Sequence, residues 1–165
     1  AFAWSSVSQF LVPLRGTREF GLERGGISLL LALAQVVDLI ALLPAGRLAD
    51  RVGRLPVLAT MTMVLGLGAI GTGLGSFPLF VAGCAGLGLG LAAWMLPLGI
   101  ARARGGAEGL AWRTALYRVG TDAAIFLGPV VSGLLGERAA RSFVGVIGVA
   151  ALAMGARLLL RPLPR

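Results

Sequence analysis

The sequence predicts an all-α protein, a polytopic bundle of transmembrane helices. Apolar residues make up 57 % of the chain and charged residues only 13 %, and the mean hydropathy is +0.90. A soluble domain of 165 residues is normally neither so apolar nor so poor in charge. The apolar residues also gather into long runs, and an α-helix needs about 20 such residues to cross roughly 30 Å of hydrocarbon.

The apolar runs predict one partial and five complete spans in a single bundle over residues 1–165. The first run, residues 1–14, is too short to cross the membrane, and it lacks the basic leader and cleavage site of a signal peptide. We therefore expect a helix whose beginning is missing. The five longer runs are residues 26–46, 56–75, 77–101, 111–135 and 139–160.

The basic residues are all arginine and lie at the ends of the apolar runs, so they indicate membrane topology. A nucleic-acid-binding protein would gather them on a polar face with aromatic residues between, and we expect no nucleic-acid partner. An excess of basic residues marks the cytoplasmic side. One side carries Arg47, Arg51, Arg54, Arg102, Arg104, Arg113, Arg118, Arg157, Arg161 and Arg165; the other carries Arg15, Arg18, Arg24, Arg138 and Arg141. This asymmetry places residues 46–54 and the C-terminus in the cytoplasm.

The residue inventory argues against an enzyme. The chain has no histidine and one cysteine, Cys84, which removes zinc clusters, Ser-His-Asp triads, Cys-His pairs and internal disulfides. We expect no metal and no cofactor. Cys84 lies within an apolar run, where a small buried residue is the simplest interpretation.

The charged segment between the first two complete spans is the most specific motif. Residues 46–54 read Gly-Arg-Leu-Ala-Asp-Arg-Val-Gly-Arg, and this pattern resembles the cytoplasmic signature loop of the major facilitator superfamily of secondary transporters. The resemblance implies a latch whose ionic contacts hold one state of the transport cycle. Its residues here are Gly46, Asp50, Arg51, Gly53 and Arg54. Asp50 ends a helix, where the macrodipole disfavours negative charge, so we expect a partner for it.

This resemblance implies that the chain is half of a twelve-helix transporter acting by alternating access, with the other half missing. The expected task is proton-coupled efflux of a drug or metabolite across a bacterial inner membrane. The expected partners are lipid, a small-molecule substrate, protons and the other half. Proton-coupled uptake of a sugar or organic acid remains an alternative, as does a six-helix membrane scaffold without transport activity.

Two features favour the C-terminal half. Residues 80–83, early in the run 77–101, contain no arginine, although N-terminal halves usually carry one there, and the chain stops soon after its last span. One feature raises the question of which half this is. Residues 128–133 resemble the antiporter motif, with Ser132 in place of a glycine, and that motif belongs to the fifth helix. Within that segment Gly128, Pro129 and Gly133 predict a helix kink, since proline removes a backbone hydrogen bond.

Arg118 and Asp122 are one helical turn apart near the cytoplasmic start of their span. The resemblance implies a gating role, in which Asp122 meets the signature loop of the opposite half. A local Arg-Asp pair that eases membrane insertion is the alternative.

Asp38 is the candidate for coupling or substrate binding, because an ionisable residue deep in a span indicates function by default. It lies 12 residues before Asp50, roughly 18 Å along a helix. It is expected to bind a cationic solute or to take up and release a proton, or else to hold neighbouring helices by hydrogen bonds. Gln35 lies one turn before it, and Gln9, Trp94 and Tyr117 are further possible cavity residues.

Glycine spacing predicts helix contacts, since small residues allow helix backbones to approach closely in membranes. Gly71 with Gly75, and Gly86 with Gly90, have the four-residue spacing of such a contact face.

Overall fold

The computed structural model describes residues 1–105 and 109–160, and in this part of the chain all regular structure is helical. The helices are α1 (Phe2–Ser5), a π-helical segment (Ser6–Leu11), α2 (Val12–Arg18), α3 (Arg24–Val52), α4 (Arg54–Gly73), α5 (Phe77–Leu91), α6 (Leu96–Gly105) and α7 (Leu110–Leu159). Five stretches are long and apolar enough to cross a membrane: Arg24–Val52, Arg54–Gly73, Phe77–Ala103, Leu110–Gly136 and Ala139–Leu159. The prediction of an all-α polytopic bundle is confirmed.

The first complete span is longer than the sequence indicated. Helix α3 continues through the charged motif to Val52, because Arg, Leu and Ala are good helix formers. The turn is confined to Gly53, whose φ of 99° is unfavourable for other residues. Most of the motif is therefore the last turns of a helix rather than a loop.

The last two spans, Leu110–Gly136 and Ala139–Leu159, are two helices that meet at Gly136, and together they are called α7 here. Gly136 is its one described residue with non-helical dihedrals (φ 74°, ψ 170°). The backbone dihedrals stay helical through Gly128, Pro129 and Gly133, so the bend predicted at this proline stays a prediction. The chain has to reverse at the membrane surface beside Glu137, and glycine there allows the change of direction.

Helix α4 stands at the centre of the bundle and makes its largest contacts with α5 and α7. Added Cβ atoms show how close the backbones come: one on Gly68 would lie 2.6 Å from Leu87 N, and one on Gly66 would lie 2.6 Å from Gly148 O. The predicted Gly86–Gly90 face does contact α4, because a Cβ on Gly90 would lie 2.6 Å from Leu65 N.

The pairing of Gly71 with Gly75 was wrong. Helix α4 ends at Gly73, so Gly75 lies in the following turn, where an added Cβ would meet nothing within 4 Å. Gly71 contacts Gly83 of α5, and its partner on the same helix face is Gly68. The four-residue rule fails here because the helix ends before the second glycine.

Small residues also allow α3 to pack closely on the bundle. Its buried face carries Ala34, Ala41, Ala45 and Ala49, and Ala34 lies against Gly88 of α5, where an added Cβ would come within 2.8 Å of Ala34 C. Several of its large apolar side chains point outward: Leu29, Leu39, Ile40 and Leu43 are exposed. Such a surface suits hydrocarbon or another membrane-embedded domain rather than water.

The N-terminal residues belong to the same bundle. Residues 2–18 are helical and pack chiefly on α7, and Val7, Leu11 and Val12 join Phe80 and Val144 in the main apolar core. Residues 106–108 lie outside the described residues, as do residues 161–165, which carry Arg161 and Arg165 of the topology prediction.

Candidate functional site

A cavity of about 510 Å³ opens between the N-terminal helix, α3, α4, the third span and the start of α7. Four of the five residues that the sequence singled out as possible coupling or substrate residues line it together: Gln35, Asp38, Trp94 and Tyr117. The other lining residues are Ala1, Trp4, Leu58, Thr62, Leu65, Gly90, Leu91, Ala93, Pro97, Thr121 and Ile125. This volume and its largely apolar lining are typical of a small-molecule site.

Gln9 does not belong to the cavity. It lies in the π-helical segment with an exposed side chain, and it is not among the lining residues. Trp4 of the same N-terminal segment lines the cavity instead.

Asp38 places a carboxylate in the cavity wall from the middle of a membrane-spanning helix. It lies midway along α3 between Arg24 and Val52, and it faces the cavity with Gln35 one helical turn away. Its Oδ1 is buried, and no described residue donates a hydrogen bond to it. Buried polar atoms in proteins usually have hydrogen-bond partners. Because this oxygen has none among the described residues, it is available to a ligand or a proton.

The third span is broken at the level of the cavity. The sequence indicated one continuous helix, but α5 ends at Leu91 and α6 begins at Leu96. Pro97 explains the break, because it cannot donate to the carbonyl of Ala93. That carbonyl accepts a hydrogen bond from Leu96 N instead, at 3.0 Å.

The break gives Trp94 its position in the cavity wall. The carbonyl oxygen of Trp94 accepts a hydrogen bond from the hydroxyl of Tyr117, so α7 supports the interrupted backbone from across the cavity. Non-helical backbone at membrane depth is tolerated where it is buried in protein or lines a cavity. Pro97 was the signal in the sequence that would have revealed it.

Two cavity residues were missed in the sequence, Thr62 and Thr121. Both hydroxyls donate to carbonyls of their own helices, Thr62 to Leu58 (2.7 Å) and Thr121 to Tyr117 (2.9 Å). Threonines are common in membrane helices, so nothing in their spacing distinguished these two.

The signature motif lies at one end of the bundle. Arg54 Nη1 donates to the carbonyl oxygen of Gly99 in α6 at 2.7 Å, and an added Cβ on Gly99 would lie 2.9 Å from that nitrogen. The absence of a side chain at Gly99 therefore lets Arg54 reach the backbone of the third span.

The remaining signature residues are available for contacts outside this bundle. Asp50 and Arg51 are exposed, and within the described part of the chain neither takes part in an ion pair. The local partner expected for Asp50 is therefore not found. Gly46 makes no close contact with another helix here, since an added Cβ there would meet nothing within 4 Å.

Arg118 and Asp122 are also exposed on the first span of α7. No ion pair joins them among the residues that the structure describes, so the side chains do not use their one-turn spacing here. Gly128 of the same span packs closely on the N-terminal helix: an added Cβ would lie 2.9 Å from Ser6 N. Gly133 makes only an ordinary contact with Phe10, at 3.6 Å.

The opposite end of the bundle holds a polar cluster that the sequence did not reveal. Arg15, fully buried, donates to Glu19 Oε2 from Nε (2.9 Å) and Nη2 (2.6 Å) and to the carbonyl of Leu74 from Nη1 (3.1 Å). It also donates to the carbonyl of Thr72. Glu19 forms a second ion pair with Arg141 of the last span.

The Arg54 contact and the Arg15 cluster lie at opposite ends of the bundle. Arg54 and Thr72 stand at opposite ends of α4, a helix of 20 residues, which is about 30 Å long. The contact of Arg54 with Gly99 and the cluster around Arg15 therefore mark opposite membrane surfaces.

A bundle of membrane-crossing helices that surrounds a mid-membrane cavity, with one wall formed by an interrupted helix, is the arrangement of a secondary transporter. The family model for the Major Facilitator Superfamily matches residues 1–165, and the chain belongs to that superfamily. It is therefore a multi-pass membrane protein of a superfamily that transports small solutes. Comparison with curated proteins found no match.

Proposed function

We propose that the chain is the C-terminal half of a proton-coupled transporter that exports a small solute by alternating access. The observation that carries the proposal is the cavity around Asp38, a carboxylate halfway along its span with an unpartnered buried oxygen. In this proposal the cavity is this half's share of a binding site completed by the other half.

Asp38 is the proposed coupling residue. A charged carboxylate within the membrane is costly in free energy. We therefore expect Asp38 to be neutralised by binding a proton or a solute during the transport cycle. Protonation from one side and release to the other would then couple solute movement to the proton gradient. The broken backbone at Trp94 lines the same cavity and offers a place where the third span can bend.

The signature motif is the proposed latch on the cytoplasmic side. The exposed carboxylate of Asp50 at the end of α3 supports this role, since the helix macrodipole disfavours it and a partner on the other half would stabilise it. Asp122 and Arg118, exposed on α7, are proposed to contact the opposite half in the same way. Arg54, held by Gly99, fixes the end of the motif to its own bundle.

The test uses the transporter expressed from its natural gene and reconstituted in liposomes that contain a pH-sensitive dye. Labelled tetraphenylphosphonium, glucose and citrate represent cationic, neutral and anionic solutes. We expect saturable, pH-gradient-driven movement of at least one of them. Asp38→Asn should abolish gradient-driven movement, because it removes the titrating group and keeps the side-chain shape, whereas solute exchange at saturating solute concentration should persist. Asp50→Asn should slow both modes, because it weakens the latch rather than the coupling.

Glu23→Gln is the control, since Glu23 is exposed at the beginning of the same helix. No movement of any of the three solutes would contradict transport and favour the membrane scaffold. Normal gradient-driven transport by Asp38→Asn would reject Asp38 as the proton-coupling residue.

A further inference from the structure

The charge of the cavity wall selects among solutes. Asp38 is the one charged side chain among the described lining residues. A carboxylate in largely apolar surroundings is poorly solvated and is stabilised by a cation. An anionic solute would meet repulsion from Asp38 with no described basic side chain in the lining to offset it.

The hydroxyl donors of the wall are occupied by the protein itself. The hydroxyls of Thr62 and Thr121 donate to their own helices, and the hydroxyl of Tyr117 donates to the carbonyl of Trp94. Among the described lining side chains this leaves Gln35 and the indole N–H groups as donors. A sugar needs many hydrogen-bond partners when it leaves water, and this wall offers few.

The aromatic residues supply a different kind of contact. Trp4, Trp94 and Tyr117 come from the N-terminal helix, the break in the third span and α7, and they line the same cavity as Asp38. The faces of such rings attract cations, most strongly where water is excluded, and their bodies pack against apolar groups. Leu58, Leu65 and Ile125 add further apolar surface.

We infer that the solute of this cavity is a monovalent organic cation with an apolar or aromatic body. Its charge is neutralised by Asp38, and its body packs against the rings of Trp4, Trp94 and Tyr117. This inference rests on the proposed transport function, whose solute class it specifies.

The test compares two probes of the same shape and opposite charge, tetraphenylphosphonium and tetraphenylborate. Binding of each labelled ion to the detergent-purified transporter is measured by equilibrium dialysis. We expect saturable binding of tetraphenylphosphonium, at least about tenfold tighter than that of tetraphenylborate, because only the cation gains from the buried carboxylate. Equal affinities, or tighter binding of the anion, would overturn the inference.

Variants locate the binding. Asp38→Asn should weaken tetraphenylphosphonium binding at least about tenfold, and Trp94→Leu should weaken it less, because it removes one of three rings. Glu23→Gln removes an exposed carboxylate of the same helix and should leave the affinity unchanged. Unchanged affinity in a folded Asp38→Asn would overturn the assignment of Asp38. If that variant does not fold, the affinities of the two ions for the unaltered protein test the inference.

The failure of this inference differs from failure of the proposed function. Gradient-driven movement of glucose or citrate without tetraphenylphosphonium would leave transport standing and reject the cationic class. Movement of none of the three would remove the function on which the inference rests.

Discussion

At the scale of single residues, Arg15 shows how an arginine is accommodated inside a membrane bundle. Its side chain has no exposed surface, and its guanidinium carbon lies 5.3 Å from the ring centre of Phe20 and 5.4 Å from that of Phe80. It joins the N-terminal helix to the end of α4 through two carbonyls. A fully desolvated guanidinium requires this number of partners, because each unpaired donor would cost free energy.

We expect Arg15→Met to destabilise the bundle by about 3 kcal/mol, because the carbonyls of Thr72 and Leu74 lose their donor and Glu19 loses one of its two arginines. Thermal unfolding of the purified protein, followed by circular dichroism or tryptophan fluorescence, measures the change. Arg24→Met is the matched control at an exposed arginine and should lie within about 0.5 kcal/mol of the unaltered protein. Equal stability of both variants would show that the cluster does not hold the bundle together.

At the scale of elements, the contact of α4 with α5 depends on the absence of side chains at particular positions. Without a hydrophobic driving force between helices in lipid, close packing supplies the stabilisation. Gly68 and Gly83 both lie where an added Cβ would come within 2.6 Å of backbone atoms of the other helix. Gly73 is in the same helix as Gly68, but an added Cβ there would meet nothing within 4 Å.

Gly68→Ala should therefore destabilise the protein by about 1–3 kcal/mol, because one methyl group forces two backbones apart. Gly73→Ala is the control and should be neutral or slightly stabilising, since alanine favours a helix. Thermal unfolding of the two variants in the same detergent gives the comparison. A Gly68→Ala protein as stable as Gly73→Ala would contradict the close α4–α5 approach.

At the scale of the whole molecule, the two ends of the bundle are distinguished by charge. The signature motif, with Arg47, Arg51 and Arg54, lies at the end where Arg54 contacts Gly99. Arg15, Glu19 and Arg141 gather at the opposite end. The excess of arginine predicts that the first end faces the cytoplasm.

Single cysteines introduced into a Cys84→Ala background test this topology with a membrane-impermeant maleimide applied to intact cells. We expect Thr17→Cys and Ser76→Cys to react from outside, and Arg47→Cys and Arg102→Cys to react only after the cells are opened. All four positions are exposed, so differences in labelling report the membrane side rather than burial. Labelling of Arg47→Cys and Arg102→Cys from opposite sides would contradict the arrangement of the spans.

The sequence by itself determined the class of fold, because hydrocarbon imposes it. Within lipid, every backbone polar group needs a hydrogen-bond partner in the protein, and helices of about 20 apolar residues are the simplest way to provide it. The apolar runs from residue 26 onward match the five observed spans. The charged motif at residues 46–54 likewise indicated the superfamily before any contact was known. Asp38 was predictable for the same reason, since a carboxylate deep in a span stands out in any sequence.

Only the tertiary structure decided which residues meet. Gln35 and Asp38 lie together on one helix, but Trp94 and Tyr117 join them through a break at residues 92–95 that apolar periodicity conceals. Arg141 reaches Glu19 from the far end of the chain, and Gly68 rather than Gly75 shares the contact face with Gly71. Hydropathy records the partition of each residue between water and lipid, whereas these contacts depend on how apolar helices are rotated against one another. Nearly every face of such helices is apolar, so hydropathy does not determine which faces are in contact. The packing of small residues determines it.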